Sequence, residues 1–194
     1  MDATVEIGLG IGERRVVRAP VESVRLEDAA LVAAAREGDR SAFGRLYDRY
    51  ARTVHGILLA RVTLGEVDDL VQDVFVIAIR RLGTLRDTAA FGAWLAIIAR
   101  NRAADYHRQA TPAAELPEDL GREDPPGAEA RAALKAILDL PAAYREPLIL
   151  RLVEGMTGPE IAERTGLTPG SVRVNLHRGM KQLREKLGWS QDHE

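Results

Sequence analysis

Four sets of residues in this chain have types and spacings that could do chemistry. Asp68, Asp69 and Asp73 lie close together, and clustered carboxylates suit a hard cation such as Mg²⁺. Ser171, within "PGSVR", offers a hydroxyl, but it stands outside a G-x-S-x-G elbow and has no base beside it. His55, His107, His177 and His193 are scattered and make no ligand spacing of the H-E-x-x-H kind, and the absence of cysteine excludes disulfides and thiolate metal sites. The fourth set is cationic: from Pro169 to Leu187 the bases Arg173, Arg178, Lys181, Arg184 and Lys186 are opposed only by Glu185. With 27 Lys and Arg against 29 Asp and Glu, the chain has no general attraction to polyanions. Any contact with nucleic acid must come from local charge placement such as this. No catalytic residue, metal or cofactor is expected.

The cationic residues sit in a stretch with strong local grammar. Thr157 followed by Glu160 fits a capping box, with Pro159 in the first turn. Ile161 and Ala162 give a short helix its inner face, Gly166 permits a sharp turn, and Leu167 plugs the angle. Thr168 then caps a helix that opens on Pro169 and runs to Leu187, with Val172, Leu176, Met180, Leu183 and Leu187 as its apolar stripe. A short helix, a glycine turn and a longer helix with one free face make a helix–turn–helix. Arg173 and His177, one turn apart near the start, are placed for base edges; Arg178, Lys181 and Arg184 are placed for phosphate.

The remaining chain reads as all-α. Residues 1–26 show no sustained period and are expected to be a flexible tail. From Glu27 to position 110 helical spacing dominates: "EDAALVAAAREGD" stops at Gly38, Ser41 caps "AFGRLYDRYARTVHGILLARV", and "EVDDLVQDVFVIAIRRL" and "RDTAAFGAWLAIIARNRAADYHRQ" follow. Residues 111–127 change character, with Pro112, Pro117, Pro125 and Pro126 among acids, and are expected to be a flexible acidic linker. Fully extended, about 16 such residues reach roughly 50 Å. Residues 128–189 form a second small helical domain containing the helix–turn–helix. No apolar run is long enough to span a bilayer and no signal pattern opens the chain, so a cytoplasmic protein without membrane insertion is expected.

This order of features resembles a bacterial sigma factor of the extracytoplasmic-function class, within the sigma-70 family, over about Glu27 to Leu187. "VDDLVQDVFVIAIRRL" resembles the segment that docks on polymerase, "AAFGAWLAIIARNRAADYHRQ" the reader of the −10 element, and "LPAAYREPLILRLVEGMTGPEIAERTGLTPGSVRVNLHRGMKQLREKL" the reader of the −35 element. The resemblance implies a factor that binds core RNA polymerase, at the clamp of the β′ subunit and the flap of the β subunit, and directs promoter-specific initiation. It also implies an anti-sigma factor as a partner. By the same token Ser171, Arg173, Val174, His177, Arg178 and Lys181 would meet the −35 element. Asn101, Arg100, Arg102, Leu85, Arg86 and Tyr106 would serve the −10 element. Asp69, Gln72 and Asp73, which recur on one helix face, would bind polymerase. Asn175, Val174 and Gly179 depart from the family's usual basic residue, Ser and Ala.

Other readings are weaker. The aspartate cluster resembles the metal motif of helical prenyl-transfer enzymes, but a second such motif is missing. Trp94 could stack on an unpaired base, yet its spacing with Phe91 and Ile98 favours core packing. The alternative of a different kind is a stand-alone helix–turn–helix regulator that binds duplex DNA as a dimer.

Overall fold

The computed structural model describes residues 21–109 and 128–188. Every regular element among them is helical: α1 (Val21–Arg36), α2 (Arg40–Leu59), α3 (Val67–Arg81), α4 (Phe91–Gln109), α5 (Ala128–Leu138), α6 (Ala142–Leu152), α7 (Gly158–Thr165) and α8 (Pro169–Lys186). Short 3₁₀ turns lie between α2 and α3 (Leu64–Glu66) and between α3 and α4 (Leu82–Thr84 and Thr88–Ala90). The expected all-α class is met. The linker reading, 111–127, lies outside the described residues, as do residues 1–20 of the expected tail. Helix α1, however, begins at Val21 rather than at Glu27, so the last part of that segment is ordered helix.

In the first domain α2 is the central element, packed by α1, α3 and α4. Its inner face buries Leu46, Tyr50, Val54, Ile57 and Leu58, at three- and four-residue spacing. The cap of α2 is Asp39 and not Ser41: the Asp39 carboxylate accepts hydrogen bonds from the amides of Ser41 (2.8 Å) and Ala42 (3.1 Å). A carboxylate reaching two free amides at a helix start outcompetes a hydroxyl two residues later. Phe91, at the start of α4, is fully buried between Tyr50 and Trp94, with ring centroids 5.3 Å and 5.9 Å away. Trp94 is half-buried in that cluster, as its spacing predicts.

The second domain does not stand apart. Helix α6 packs on α2, and α7 packs on α4. Gly56 makes the closest approach possible: a Cβ there would lie 2.7 Å from Leu150 Cδ2 and 3.0 Å from Glu154 Cγ. The buried core is therefore continuous from Leu46 and Phe91 to Ile137, Leu148, Ile149 and Leu183.

Candidate nucleic-acid interface

The helix–turn–helix forms as its local signals require. Thr157 Oγ1 accepts from the Glu160 amide while the Glu160 carboxylate accepts from the Thr157 amide at 2.8 Å, completing the capping box. Gly166 ends α7 at φ 73°, a left-handed conformation that a side chain disfavours. Thr168 then caps α8 through the Ser171 amide at 3.1 Å. Val172, Gly179 and Leu183 face inward on α8. At Gly179 a Cβ would lie 2.9 Å from Leu148 Cδ1 and 3.1 Å from Tyr144 Cβ. A methyl group there would have to displace the end of Leu148 and crowd Tyr144, so the close approach of α8 to α6 favours the glycine that stands where the resembled family usually has Ala.

Burying that stripe leaves the opposite face of α8 to solvent. Arg173, Val174, His177, Arg178 and Lys181 are all exposed, and among the described residues none of the four polar ones has a side-chain hydrogen bond or ion pair. Ser171 is exposed too, but its hydroxyl is engaged by Thr168 Oγ1 at 2.8 Å within the cap.

The −10 candidates divide. Asn101 is exposed on an unbroken α4, so it neither caps nor kinks that helix. Ile97, one turn earlier, is also strongly exposed, at 54%. Arg86 is exposed in the loop before α4. Leu85 is not: its side chain is buried and its carbonyl accepts from Arg36, so it supports the loop from inside and cannot meet a base. Arg102 donates to the Asp73 carboxylate at 2.8 and 3.1 Å, linking a −10 candidate to a polymerase candidate. Tyr106 is half-buried, its hydroxyl 3.4 Å from Thr63 Oγ1. Arg100 faces the second domain, donating to Glu146 at 2.6 and 3.2 Å and to the Thr165 carbonyl at 3.1 Å.

On α3, Asp69 and Gln72 are exposed, and Asp73 is half-exposed beside Arg102. Their face continues through Val76 and Ile79, apolar side chains left 44% and 49% exposed. Sequence reasoning missed these two, although Val76 falls seven residues after Asp69 and Ile79 seven after Gln72, in register with the polar face. Among the described residues no cluster of His, Asp and Glu could hold a metal ion, and Asp68, Asp69 and Asp73 do not converge.

The two domains are joined by ion pairs that sequence reasoning also missed. Glu146 of α6, 4% exposed, accepts from Arg61 at 2.5 Å and from Arg100. Burial pushes its carboxyl up, but the Arg100 hydrogen bond and the charges of Arg61 and Arg100 outweigh that and hold it below the usual carboxylate range. Glu154, just beyond α6, accepts from Arg52 at 3.1 Å and meets His55 Nδ1 at 2.8 Å. The hydrogen bond to Glu154 raises the His55 pKa against the effect of burial.

A pH dependence follows from that pair. A raised His55 pKa contributes stability that is complete below the ordinary value of 6.5 and is lost as pH climbs through the folded value. Glu154, also held low against burial by His55 and Arg52, contributes above 4.5 and loses its share as pH falls below that. The contact is therefore strongest between these two values. Thermal midpoints measured from about pH 5 to 8 should decline more steeply for the native chain than for His55→Gln. Parallel curves would show that the pair contributes nothing.

Two family models match the chain: "Sigma-70 region 2" over residues 46–112 and "Sigma-70, region 4" over residues 130–183. The first covers the α2–α4 bundle, and the second covers the helix–turn–helix domain. The chain is 36% identical to the RNA polymerase sigma factor CarQ of Myxococcus xanthus, over 79% of this chain and 93% of that one. It is 35% identical to the ECF RNA polymerase sigma factor SigD of Mycobacterium tuberculosis, over 81% and 82%. Among solved structures, CnrH in complex with the cytosolic domain of CnrY superposes with a TM-score of 0.60 at 28% identity, over 85% of this chain and 99% of that one. The fold and the free recognition helix thus define a two-domain transcription initiation factor. The chain belongs to the sigma-70 family, among the ECF RNA polymerase sigma factors.

Proposed function

We propose that this sigma factor distributes its contacts over three faces. The observation that carries this is the exposed outer face of α8, where Arg173, Arg178 and Lys181 have no ion pair among the described residues. On it, Arg173, Val174 and His177 read −35 bases, while Arg178 and Lys181 hold phosphate. Helix α4 reads the −10 element through Asn101, with Arg86 and Arg102 near the backbone and Tyr106 at the edge. Helix α3 docks on the β′ clamp of core polymerase through Asp69, Gln72 and Asp73, extended by Val76 and Ile79, and the second domain meets the flap of β. Charged residues around a small apolar centre are what a separable protein interface requires. An anti-sigma factor is a further partner, and the site of action is the cytoplasm.

Asn101 is the residue to test. A base in a melted promoter exposes its Watson–Crick edge, and an amide offers both donor and acceptor to discriminate it. With core polymerase, the native chain should open promoters and show a preference at each −10 position. Asn101→Ala should keep core binding, open promoters less efficiently, and blur the preference at one non-template base. A preference profile like the native one, with opening as efficient, would leave Asn101 a surface residue only.

A further inference from the structure

Helix α4 packs on α2, α3 and α7 and keeps one open face. Toward α7, a Cβ at Gly166 would lie 3.0 Å from Ala93 Cβ, and Arg100 donates to the Thr165 carbonyl at 3.1 Å. Toward α3, Arg102 donates to Asp73 at 2.8 Å. Ile97, Asn101, Ala104 and Arg108 follow one another at four-, three- and four-residue spacing, so they make one stripe between those flanks. All four are exposed, Ile97 at 54%.

A single exposed isoleucine is ordinary on a protein surface. Its surroundings on α4 are what give Ile97 a use. Arg86, which has no ion pair among the described residues, lies in the loop that leads into α4. Arg108, in the last turn, donates to Asp105 through one nitrogen and has further N–H donors. That bond also occupies Asp105, the carboxylate beside the stripe. A nucleic-acid strand whose phosphates meet the two ends would bring its bases over the neutral middle. There Asn101 offers a donor and an acceptor, whereas Ile97 offers only methyl and methylene groups. Among the four bases thymine answers that chemistry. Its C5 methyl projects from the major-groove edge and is reachable in a duplex as well as in a melted strand. Cytosine instead presents an amino donor there, which an isoleucine leaves unpaired.

We propose that Ile97 is a specificity-determining residue of the −10 reader, selecting a thymine by packing on its C5 methyl group. This rests on the assignment of α4 to the −10 element. Ile97 and Asn101 lie about 6 Å apart along the helix axis, which spans one to two base steps at about 3.4 Å each. The thymine therefore lies within two positions of the base that Asn101 discriminates. Burying one methyl is worth about fourfold in affinity, so Ile97 sharpens the preference for the element without dominating it.

Thymidine and deoxyuridine differ in a template by that methyl alone, so their exchange isolates the contact. Holoenzyme formed from the full chain and core polymerase first selects its −10 element from templates randomised across that region. Each thymine of the selected element is then replaced by deoxyuridine in turn. At one position the native factor should lose about fourfold in promoter affinity. Ile97→Ala should bind the thymine and deoxyuridine templates alike at that position, with helicity and capture of core polymerase unchanged. 5-Methylcytosine placed there should recover part of what cytosine loses with the native factor, and nothing with Ile97→Ala. Should alanine lower helicity, Ile97→Gln, which keeps the length of the side chain but not its methyl groups, must show the same equality. A selected element without thymine, no position sensitive to deoxyuridine, or a penalty that persists in Ile97→Ala would each overturn the proposal. So would an equal loss by Ile97→Ala on both templates, which would make Ile97 a general contact. A blurred Asn101→Ala profile without any methyl effect would overturn this proposal and leave the −10 assignment of α4 standing. Native-like −10 preferences in both Asn101→Ala and Ile97→Ala would overturn that assignment as well.

Discussion

Replacing Asp28 with alanine should destabilise the sigma factor by about 3 kcal/mol, at the low end of what breaking a buried ion pair costs. Asp28 is 1% exposed, and its carboxylate accepts from Arg49 at 2.5 Å and from the Tyr50 hydroxyl. Alanine would leave the buried hydroxyl of Tyr50 without an acceptor and Arg49 without its inner partner. The loss is held to the low end because Arg49 keeps Glu27 at 2.7 Å. Asp28→Asn, which keeps an acceptor for Tyr50, should cost about 1 kcal/mol. Urea midpoints of both variants check this, and a loss below about 1 kcal/mol for alanine would mean the pair is energetically idle.

The consequence extends beyond stability. Tyr50 packs edge-on against Phe91, and a Cβ at Gly92 would sit 2.7 Å from its ring. The first turn of α4 is thus seated on the side chain that Asp28 fixes. Loosening Tyr50 should loosen the helix that carries Asn101.

Asp28 shows both how far the sequence is legible and where it stops. Its place on an inner face could be read, since it precedes Leu31 and Val32 by three and four residues. Its partners, about 20 residues on in α2, could not, because any inward cation of α2 would have served as well. The helix–turn–helix was legible almost residue by residue: Thr157, Glu160, Gly166 and Thr168 are local signals whose partners lie within one turn. The ion pairs between the domains are the opposite case. Glu146 and Glu154 meet residues 46 to 102 positions earlier, across a linker whose composition argues for separation. Each glutamate alone reads as a solvated charge on an amphipathic helix. Leu85 failed for a related reason: a leucine in a polar loop looks available until the loop folds back and its carbonyl meets Arg36.

On α8, Arg173 and Arg178 should fail in different ways when substituted. Both are exposed and have no side-chain partner among the described residues, so neither substitution should lower helicity. Arg173 lies in the first half of the helix, one turn before His177 and next to the exposed Val174, where a recognition helix meets base edges. Arg178 lies a turn and a half further on, beside Lys181, where the helix leaves the groove. Arg173→Ala in holoenzyme should therefore cost about 1–3 kcal/mol and relax preference at a single −35 position. Arg178→Ala should weaken every template alike and reduce the salt slope by about one. Lysine separates the roles further, because it keeps the charge but loses the planar fork that grips two acceptors at once. Arg178→Lys should bind nearly as the native chain does, while Arg173→Lys should retain the salt slope and still lose the base preference. Binding of promoter fragments varied across the −35 element, each titrated with salt, measures all four variants together. Equal and sequence-blind losses at both positions would mean that neither arginine reads a base, and that α8 lies on the duplex by charge alone.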